Sequence, residues 1–338
     1  MAGIVMTGFE DGSIGAFLTG DAIASTTQKR TGAYSMYNSG NQVYASLTLS
    51  ADKTEIYMRF GIYPLGVGYV FTLYDNAGAT QLSFQIAAVT NLPTLYLGHP
   101  NSGGGIIATA ATALALNLWS CIEIYVKIAN APNGRFTLKV NGVTDASMDF
   151  TGDTQFTAIA SLRTVRFSSI PGDGGTIASY IDDIAINDTA GAVNNSWIGQ
   201  GGIRLAFVDG ESAAHAVDFT PSTPGTNWSL VDERPASDVD YVSASVVDKY
   251  DLYTLDTSSM PAVGTVRAVK WIARAKLDID GANITPVIRS ESTTEQQADI
   301  PVTTTYAVKS LIMDVDPIDD AAWTIAKVNA LEIGMAVG

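Results

Sequence analysis

The stretch Tyr180-Ile-Asp-Asp-Ile-Ala-Ile-Asn-Asp188 carries the pattern from which the fold can be predicted. Ile184 and Ile186 lie two positions apart, so in an extended chain their side chains point to the same face. The paired carboxylates Asp182 and Asp183 precede this apolar face, and the final Asn-Asp pair is a turn sequence. The stretch therefore predicts a core β-strand with an acidic entrance.

The composition of the whole chain agrees with a β-rich protein. Of the 338 residues, 46% are hydrophobic and 16% are charged, with 31 glycines and 12 prolines, which is too apolar for a disordered chain. The Leu, Glu, Lys and Arg mixture typical of amphipathic surface helices is scarce, whereas small and β-branched residues are abundant. The length allows two domains, each with a core of its own.

Short alternating segments follow one another through roughly the first 190 positions. Residues 43–49 and 55–63 alternate apolar and polar side chains, and residues 135–140 are followed by Asn141-Gly142 and a further alternating segment. An Asn-Gly pair between two such segments is the strongest short-range signal for a β-hairpin. About ten or more strands of this kind predict a sandwich of two sheets.

The pattern changes at Asn194-Asn195-Ser196-Trp197-Ile198-Gly199, where a Gly-rich joint at 199–202 precedes a new set of loops and strands. We therefore predict two domains, residues 1–198 and residues 199–338. The predicted strands of the second domain lie at 203–208, 240–245, 249–255, 264–278, 283–289, 304–313 and 328–337.

Charge, cysteine content and hydropathy exclude several classes of function. The net charge is −15, so the surface should repel a phosphate backbone, and we expect no nucleic-acid partner. The single cysteine, Cys121, rules out an intramolecular disulfide and is expected to be a buried thiol. His99 lies in a loop sequence and is expected to be solvated. The first residues lack a basic and apolar leader, which predicts no signal peptide, no membrane insertion and synthesis in the cytoplasm.

Three motifs of the first domain resemble the laminin-G/concanavalin-A-like jelly rolls. They are Trp119-Ser-Cys-Ile-Glu-Ile-Tyr-Val-Lys127, Gly134-Arg-Phe-Thr-Leu-Lys-Val-Asn-Gly142 and the stretch that begins at Tyr180. The resemblance implies an all-β chain, with an N-terminal concanavalin-A-like jelly-roll sandwich followed by a second, smaller β-sandwich.

The second domain resembles a β-sandwich that recurs in structural proteins of tailed bacteriophages. The motifs are Val231-Asp-Glu-Arg-Pro235, Asp238-Val-Asp-Tyr241 and Val328-Asn-Ala-Leu-Glu-Ile-Gly334. The resemblance implies a non-enzymatic component of the virion, such as a head-fibre, capsid-decoration or tail-associated protein. Its implied partners are other virion proteins and further copies of the same chain, most simply as a homotrimer. The second domain would serve oligomerisation, attachment or display.

The sequence offers few residues for catalysis. A glycosidase on this kind of fold presents two carboxylates on one strand, pointing into the cleft. Residues 120–127 contain only Glu123, with no acidic residue two or four positions away. Neither histidine lies near a nucleophile motif, and no phosphate-binding or dinucleotide-binding loop is present. We therefore predict no catalytic residues and no organic cofactor, and a glycan hydrolase is the least favoured of the functions considered.

Two further features point to ligands. Asp182 and Asp183 are candidate calcium ligands, because jelly rolls of this kind bind Ca²⁺ near strand ends, although hydrogen bonds that anchor a loop are the favoured alternative. Tyrosines that could stack on sugar rings support a carbohydrate-binding adhesin as the alternative function, although alternation places most of them in the core or on the sheet surface. These tyrosines are Tyr34, Tyr37, Tyr44, Tyr57, Tyr63, Tyr69 and Tyr74.

Overall fold

The computed structural model describes residues 3–14, 18–40, 43–167, 177–215, 217–278 and 283–338. The chain divides into two compact units, Met1–Ile203 and Arg204–Gly338. The joint predicted at 199–202 lies at the end of the first unit.

Among the described residues of the first unit, strands make up nearly all of the regular structure, together with one 3₁₀ turn, Pro100–Ser102. The strands are β1 (Gly3–Thr7), β2 (Thr19–Gly20), β3 (Ile23–Ser25), β4 (Ser35–Ser39), β5 (Ala45–Lys53), β6 (Glu55–Pro64), β7 (Gly68–Tyr74), β8 (Thr80–Ile86), β9 (Pro93–Leu97), β10 (Gly105–Thr109), β11 (Ser120–Lys127), β12 (Gly134–Val140), β13 (Val143–Gly152), β14 (Leu162–Phe167) and β15 (Ala178–Asn187).

These strands form two antiparallel sheets. The eight-stranded sheet has the order β13-β12-β11-β6-β15-β4-β3, with β1 paired to β15, and the seven-stranded sheet has the order β10-β9-β8-β7-β14-β5-β2. The stretch that begins at Tyr180 forms β15, which pairs with β1, β4 and β6. Ile181, Ile184 and Ile186 of this strand are fully buried, as expected for a core strand.

The core of the first unit lies between the two sheets, and β6 shows how alternation builds it. Its inward side chains include Phe60, which is fully buried and contacts Phe71 and Phe167 of the seven-stranded sheet at ring-centroid distances of 6.0 Å and 5.3 Å. Its alternate residues, from Tyr57 to Tyr63, point away from the core, because successive side chains of a strand project to opposite faces. Each sheet therefore has one apolar inner face and one outward face.

Local turn chemistry explains two features of the eight-stranded sheet. Asn141 and Gly142 adopt φ angles of 51° and 81° and connect β12 to β13, which confirms the predicted hairpin. In β15 the pairing with β6 shifts register between Asp182 and Ala185, and Asp183 adopts a φ of 54°. Aspartate is one of the few residues other than glycine that tolerate this left-handed conformation. The acidic entrance of β15 is thus a bulge.

The second unit contains shorter strands. They are β16 (Val208–Glu211), β17 (Thr220–Pro221), β18 (Val242–Ser243), β19 (Tyr250–Leu255), β20 (Val269–Ala275), β21 (Asn283–Ser290), β22 (Thr293–Gln296), β23 (Ile300–Pro301), β24 (Ala307–Met313) and β25 (Glu332–Val337), with a 3₁₀ turn, Asn227–Leu230, and the helix α1 (Ile325–Asn329).

The six-stranded sheet of this unit has the order β16-β19-β25-β21-β22, with β23 paired to β21, and β20 and β24 form a separate two-stranded sheet. Trp271 of β20 is buried in one apolar cluster with Ile288 of β21, and its Nε1 donates a hydrogen bond to Gly334 O at 3.0 Å. The two sheets thus pack face to face as a smaller sandwich. The predicted all-β class, a jelly-roll sandwich followed by a smaller sandwich, is confirmed.

Several predicted strands of the second unit are shorter than expected. The segment predicted as a strand at 328–337 begins with the end of α1, because Thr324 caps that helix by accepting a hydrogen bond from Lys327 N at 3.1 Å. The strand predicted at 203–208 begins only at Val208. No helix in the described part of the chain is both long and apolar enough to cross a bilayer.

Candidate functional site

The outward face of the eight-stranded sheet brings together aromatic and charged side chains from neighbouring strands. Tyr57 of β6 lies directly opposite Tyr125 of β11, which in turn lies opposite Thr137 of β12. Two residues along the same strands, Glu123 lies opposite Arg59 of β6 and opposite Lys139 of β12. Period-two alternation in these strands is the reason that all of these residues share one face.

Part of this face forms an open groove with a volume of about 510 Å³. This volume is within the usual range for small-molecule sites, which is roughly 300–1,000 Å³. The groove is lined by Tyr57, Tyr125, Arg135, Thr137, Lys139, Thr144, Asp149 and Trp197.

Three aromatic rings define one side of the groove. Tyr57 and Tyr125 are stacked with ring centroids 4.7 Å apart, and Trp197 meets Tyr57 edge-on at 5.4 Å. The Lys139 ammonium lies 3.8 Å from the centre of the Trp197 ring, which is a cation–π contact. Each contact restrains a ring that would otherwise rotate at the surface, so the rings are held in position before any ligand binds.

The charged groups of the groove differ in how they are compensated. Asp149 accepts hydrogen bonds from Thr137 Oγ1 at 2.8 Å and Arg135 Nη2 at 2.9 Å, and these bonds lower its pKa. The Lys139 ammonium makes no ion pair with a carboxylate in the described part of the chain. The groove therefore offers the Asp149 carboxylate, the Arg135 guanidinium and the Lys139 ammonium for hydrogen bonding to a polar ligand.

The tyrosines of the groove are weak acids in this environment. The Tyr125 hydroxyl donates a hydrogen bond to Glu55 Oε2 at 2.7 Å, and burial followed by this bond raises the pKa of Tyr125 well above its usual value. Burial and then Glu55 also raise the pKa of Tyr57. A general base needs the opposite shift, toward the working pH. These phenols are therefore suited to contact rather than to proton abstraction.

Trp197 reaches the groove because the segment that contains it crosses the sheet. We call residues 197–203 the strap. Gly199 N donates a hydrogen bond to Glu123 Oε1 at 2.7 Å, and Arg59 Nη1 donates to Gly199 O at 3.5 Å. Arg30 Nη1 donates to Gly201 O at 2.6 Å. Glu123 is only 3% exposed. The one carboxylate considered for hydrolysis thus binds the strap instead of facing a ligand.

The far end of the strap is bound by the acidic bulge of β15. Asp183 accepts hydrogen bonds from Arg30 Nη1 at 2.6 Å, Thr31 Oγ1 at 2.7 Å and Ile203 N at 2.6 Å. Asp182 accepts from Arg30 N at 2.9 Å, Thr31 N at 3.1 Å and Asp183 N at 2.7 Å. Both carboxylates are fully buried, and burial, followed by the neighbouring Asp183 charge, raises the pKa of Asp182.

These hydrogen bonds bear on the calcium prediction for Asp182 and Asp183. Calcium takes six to eight oxygen ligands, whereas here the carboxylate oxygens already accept from N–H and O–H donors and from the guanidinium of Arg30. No three His, Cys, Asp or Glu side chains within the described ranges are placed to hold a metal ion. Calcium binding stays a prediction, and the observed contacts are those of the alternative, a loop anchor.

The seven tyrosines named in the sequence analysis lie in different environments. Tyr37, Tyr57 and Tyr63 lie on the outward face of the eight-stranded sheet, at positions opposite their neighbours in β15 and β11. Tyr44 and Tyr74 instead flank Arg166 of β14, Tyr69 packs against His99, and Tyr34 packs against the core.

The sequence reasoning missed most of the groove. Tyr125, Arg135 and Lys139 were not proposed as site residues, although alternation in residues 120–127 and 134–140 places them on one face. Trp197 was assigned to a domain joint. Nothing in its local sequence indicates that this segment folds back over the sheet.

Two predictions about single residues have different outcomes. His99 is 2% exposed, and its Nδ1 accepts a hydrogen bond from Asn101 N at 3.2 Å, so the expectation of a solvated loop histidine is wrong. The ring is buried because it packs against Tyr69 at 4.9 Å. Cys121 is a buried free thiol, as expected, and burial raises its pKa.

Comparison with known proteins finds similarity at the level of structure only. No family model matches the sequence, and no curated protein matches it. Among solved structures, the cellulose induced protein Cip1 aligns with a TM-score of 0.44 and 17% identity over 58% of this chain and 100% of that chain.

Two further solved structures show weaker likeness. An endo-β-1,4-glucuronan lyase from Trichoderma reesei aligns with a TM-score of 0.39 and 12% identity, over 53% of this chain and 93% of that chain. The carbohydrate-binding module CBM66 from Bacillus subtilis aligns with a TM-score of 0.33 and 10% identity, over 51% of this chain and 96% of that chain. At these identities the likeness concerns the fold alone.

The predicted role as a structural component of a phage particle is wrong on these comparisons. The structures reported above are a carbohydrate-binding module, a polysaccharide lyase and a cellulose-induced protein, and none of the three is a particle component. The motifs that carried the phage resemblance are short and lie in loops, at the end of α1 and at the start of β25, and a likeness at the level of the fold does not determine function. The predicted homotrimer concerns contacts between chains and stays a prediction.

Proposed function

We propose that this chain is a carbohydrate-binding protein and that the groove on the eight-stranded sheet is its binding site. The observation that carries the proposal is the combination of Tyr57, Tyr125 and Trp197 with hydrogen-bonding groups in one open groove. A sugar ring has an apolar face that stacks on aromatic side chains and a rim of hydroxyls that need donors and acceptors. The groove supplies both kinds of contact.

The charged pair at the rim of the groove suits sugar hydroxyls. Asp149 accepts and Arg135 donates, and both are partly exposed, with side chains 40% and 47% accessible. A hydroxyl can donate to the carboxylate while it accepts from the guanidinium, and hydrogen bonds to ionised groups are stronger than those between neutral groups. Lys139 adds a cation that can hold a hydroxyl or the carboxylate of an acidic sugar.

We also propose that binding is not followed by cleavage. Hydrolysis requires two carboxylates that flank the scissile bond, whereas Asp149 is the one carboxylate in the groove lining as described and Glu123 accepts a hydrogen bond from Gly199 N of the strap. Elimination requires a base with a pKa near the working pH, and the pKa values of Tyr57 and Tyr125 are shifted upward. The reported structures include a lyase, but the likeness concerns the fold, so the proposal depends on the groove itself.

Affinity electrophoresis of the full chain tests the proposal. Gels containing xylan, β-1,4-glucan, alginate or polygalacturonate are expected to retard the wild-type chain in at least one case. The variants Trp197→Ala and Tyr57→Ala should lose about tenfold or more in affinity, because buried aromatic contacts are the usual hot spots of recognition. Tyr96→Ala, on the outward face of the seven-stranded sheet, is the matched control.

Two outcomes would contradict the proposal. If none of the four polysaccharides slows the migration of the wild-type chain, the proposal that it binds carbohydrate is wrong. Release of unsaturated or reducing products from a retained polysaccharide would leave binding in place and refute the absence of catalysis.

A further inference from the structure

A second group of aromatic residues crosses the same outward face, away from the groove. Ile23 of β3 lies opposite Tyr37 of β4, which lies opposite Tyr180 of β15, which lies opposite Tyr63 of β6. Trp119, just before β11, contacts Tyr63 with ring centroids 5.7 Å apart. We call the four aromatic residues, Tyr37, Tyr180, Tyr63 and Trp119, the aromatic row; Ile23 lies beside its β3 end.

The aromatic row is uncharged and partly accessible. Tyr37 and Tyr180 stack at 4.7 Å, and Tyr180 meets Tyr63 edge-on at 6.1 Å, so the rings stand side by side across neighbouring strands. Ile23 beside the row is 58% exposed, Tyr37, Tyr63 and Trp119 are half-buried, and Tyr180 between them is buried. The row therefore presents parts of Tyr37, Tyr63 and Trp119 to solvent without charged groups, whereas the groove presents aromatic rings together with charges.

The groove and the aromatic row are linked by a single strand. Tyr57 of the groove and Tyr63 of the row both project outward from β6, and six residues of strand separate them by about 20 Å. Between them lie Arg59, which donates to the strap, and Gly61, where a Cβ would come within 2.5 Å of Arg30 Cδ. The sheet surface between the two aromatic sites is thus covered by the strap and by the side chain of Arg30.

We propose that the aromatic row is a second carbohydrate subsite, so that one polymeric glycan binds the first unit at two points on either side of the strap. The inference rests on the proposed function of the groove. A polymer is the occupant to which we commit, because both sites lie on one continuous sheet face and on one strand, about 20 Å apart. Two linked contacts raise the effective concentration at the second site, so affinity rises steeply once a chain spans both.

Titration of the full chain with sugars of different length tests this inference. The probes are the disaccharide and the hexasaccharide of xylan, β-1,4-glucan, alginate and polygalacturonate. For the glycan that binds, the hexasaccharide should bind on the order of 100-fold more tightly than the disaccharide. Trp119→Ala and Tyr63→Ser should reduce hexasaccharide affinity to nearly that of the disaccharide, while Tyr96→Ala changes neither.

The outcomes separate the two proposals. Equal affinities for the two lengths, or a hexasaccharide affinity unchanged by both row variants, would overturn the two-subsite inference while a Trp197→Ala loss still supported the groove. Absence of binding by every probe would overturn both. Because Tyr63 packs within the row, the melting temperature of each variant is measured first, and Trp119→Ala, with its ring at the end of the row, carries the test if Tyr63→Ser unfolds.

Discussion

Replacing Asp183 by asparagine should weaken the first unit severely. Asparagine tolerates the left-handed φ of 54° that this position adopts, so the substitution changes the charge and leaves the backbone conformation accessible. The carboxylate is fully buried and accepts three hydrogen bonds, including one from Arg30 Nη1 at 2.6 Å. In an amide, an NH₂ group replaces one carboxylate oxygen, so at least one of the three groups that donate to Asp183 would face another donor.

The magnitude follows from the ion pair. The Arg30 side chain is only 18% exposed and its partner is buried. Removing one member of a buried pair leaves an uncompensated charge and typically costs about 3–5 kcal/mol. The matched control is Asp52→Asn, because Asp52 pairs with Arg163 at 3.2 Å with both side chains about a third exposed. That exposed pair should contribute only about 0–1 kcal/mol.

Equilibrium urea unfolding measures both variants. Hydrogen exchange of peptides from β6 and β15 reports the first unit separately from the second. A loss for Asp183→Asn below about 1 kcal/mol, equal to that of the control, would show that the bulge does not anchor the strap as described.

Three further predictions concern the same face. Because the pKa of Asp182 is raised in the folded state, the folded chain binds this proton more tightly than the unfolded chain does. The stability that this difference contributes is fully present below the ordinary carboxyl pKa of about 3.9 and is lost as the pH rises toward the raised pKa. Urea unfolding from about pH 5 to about pH 6.5 should therefore show a decline in stability that is smaller in Asp182→Asn, and identical pH dependence would refute the assignment. Adding calcium or EDTA should leave the melting temperature unchanged, because donors already occupy the carboxylates, and a rise of several degrees with calcium would instead support the cation site. Gly61→Val should displace the Arg30 side chain and lower stability by about 1–3 kcal/mol in the same unfolding assay, whereas Gly66→Val, where a Cβ would meet nothing within 4 Å, should change it little.

The fold could be predicted largely from local patterns. Alternation identified β5, β6 and β12, and the Asn141-Gly142 pair identified a hairpin, because both signals involve residues close in sequence. The second unit was predicted less well. Its strands are short, and at 325–329 the Thr324 cap produces a helix where alternation indicated a strand.

The site was harder to predict because its contacts are long-range. Asp182 and Asp183 accept hydrogen bonds from residues more than 150 positions away, so their local sequence could suggest a ligand site but not the donors that occupy it. Trp197 lies in the groove because its segment folds back over the sheet, where Glu123 and Asp183 bind the strap. A sequence pattern identifies which face of a strand a residue occupies, but not which distant segment covers that face.

Isothermal titration of the full chain with the hexasaccharide of the retained polysaccharide, comparing the wild type with Trp197→Ala, tests the central claim most directly. If the groove binds carbohydrate, the wild type should bind with a single defined affinity, and Trp197→Ala should bind about tenfold or more weakly at an unchanged melting temperature. Equal affinity of the two proteins, with Tyr57→Ala also unchanged, would show that the groove is not the carbohydrate site.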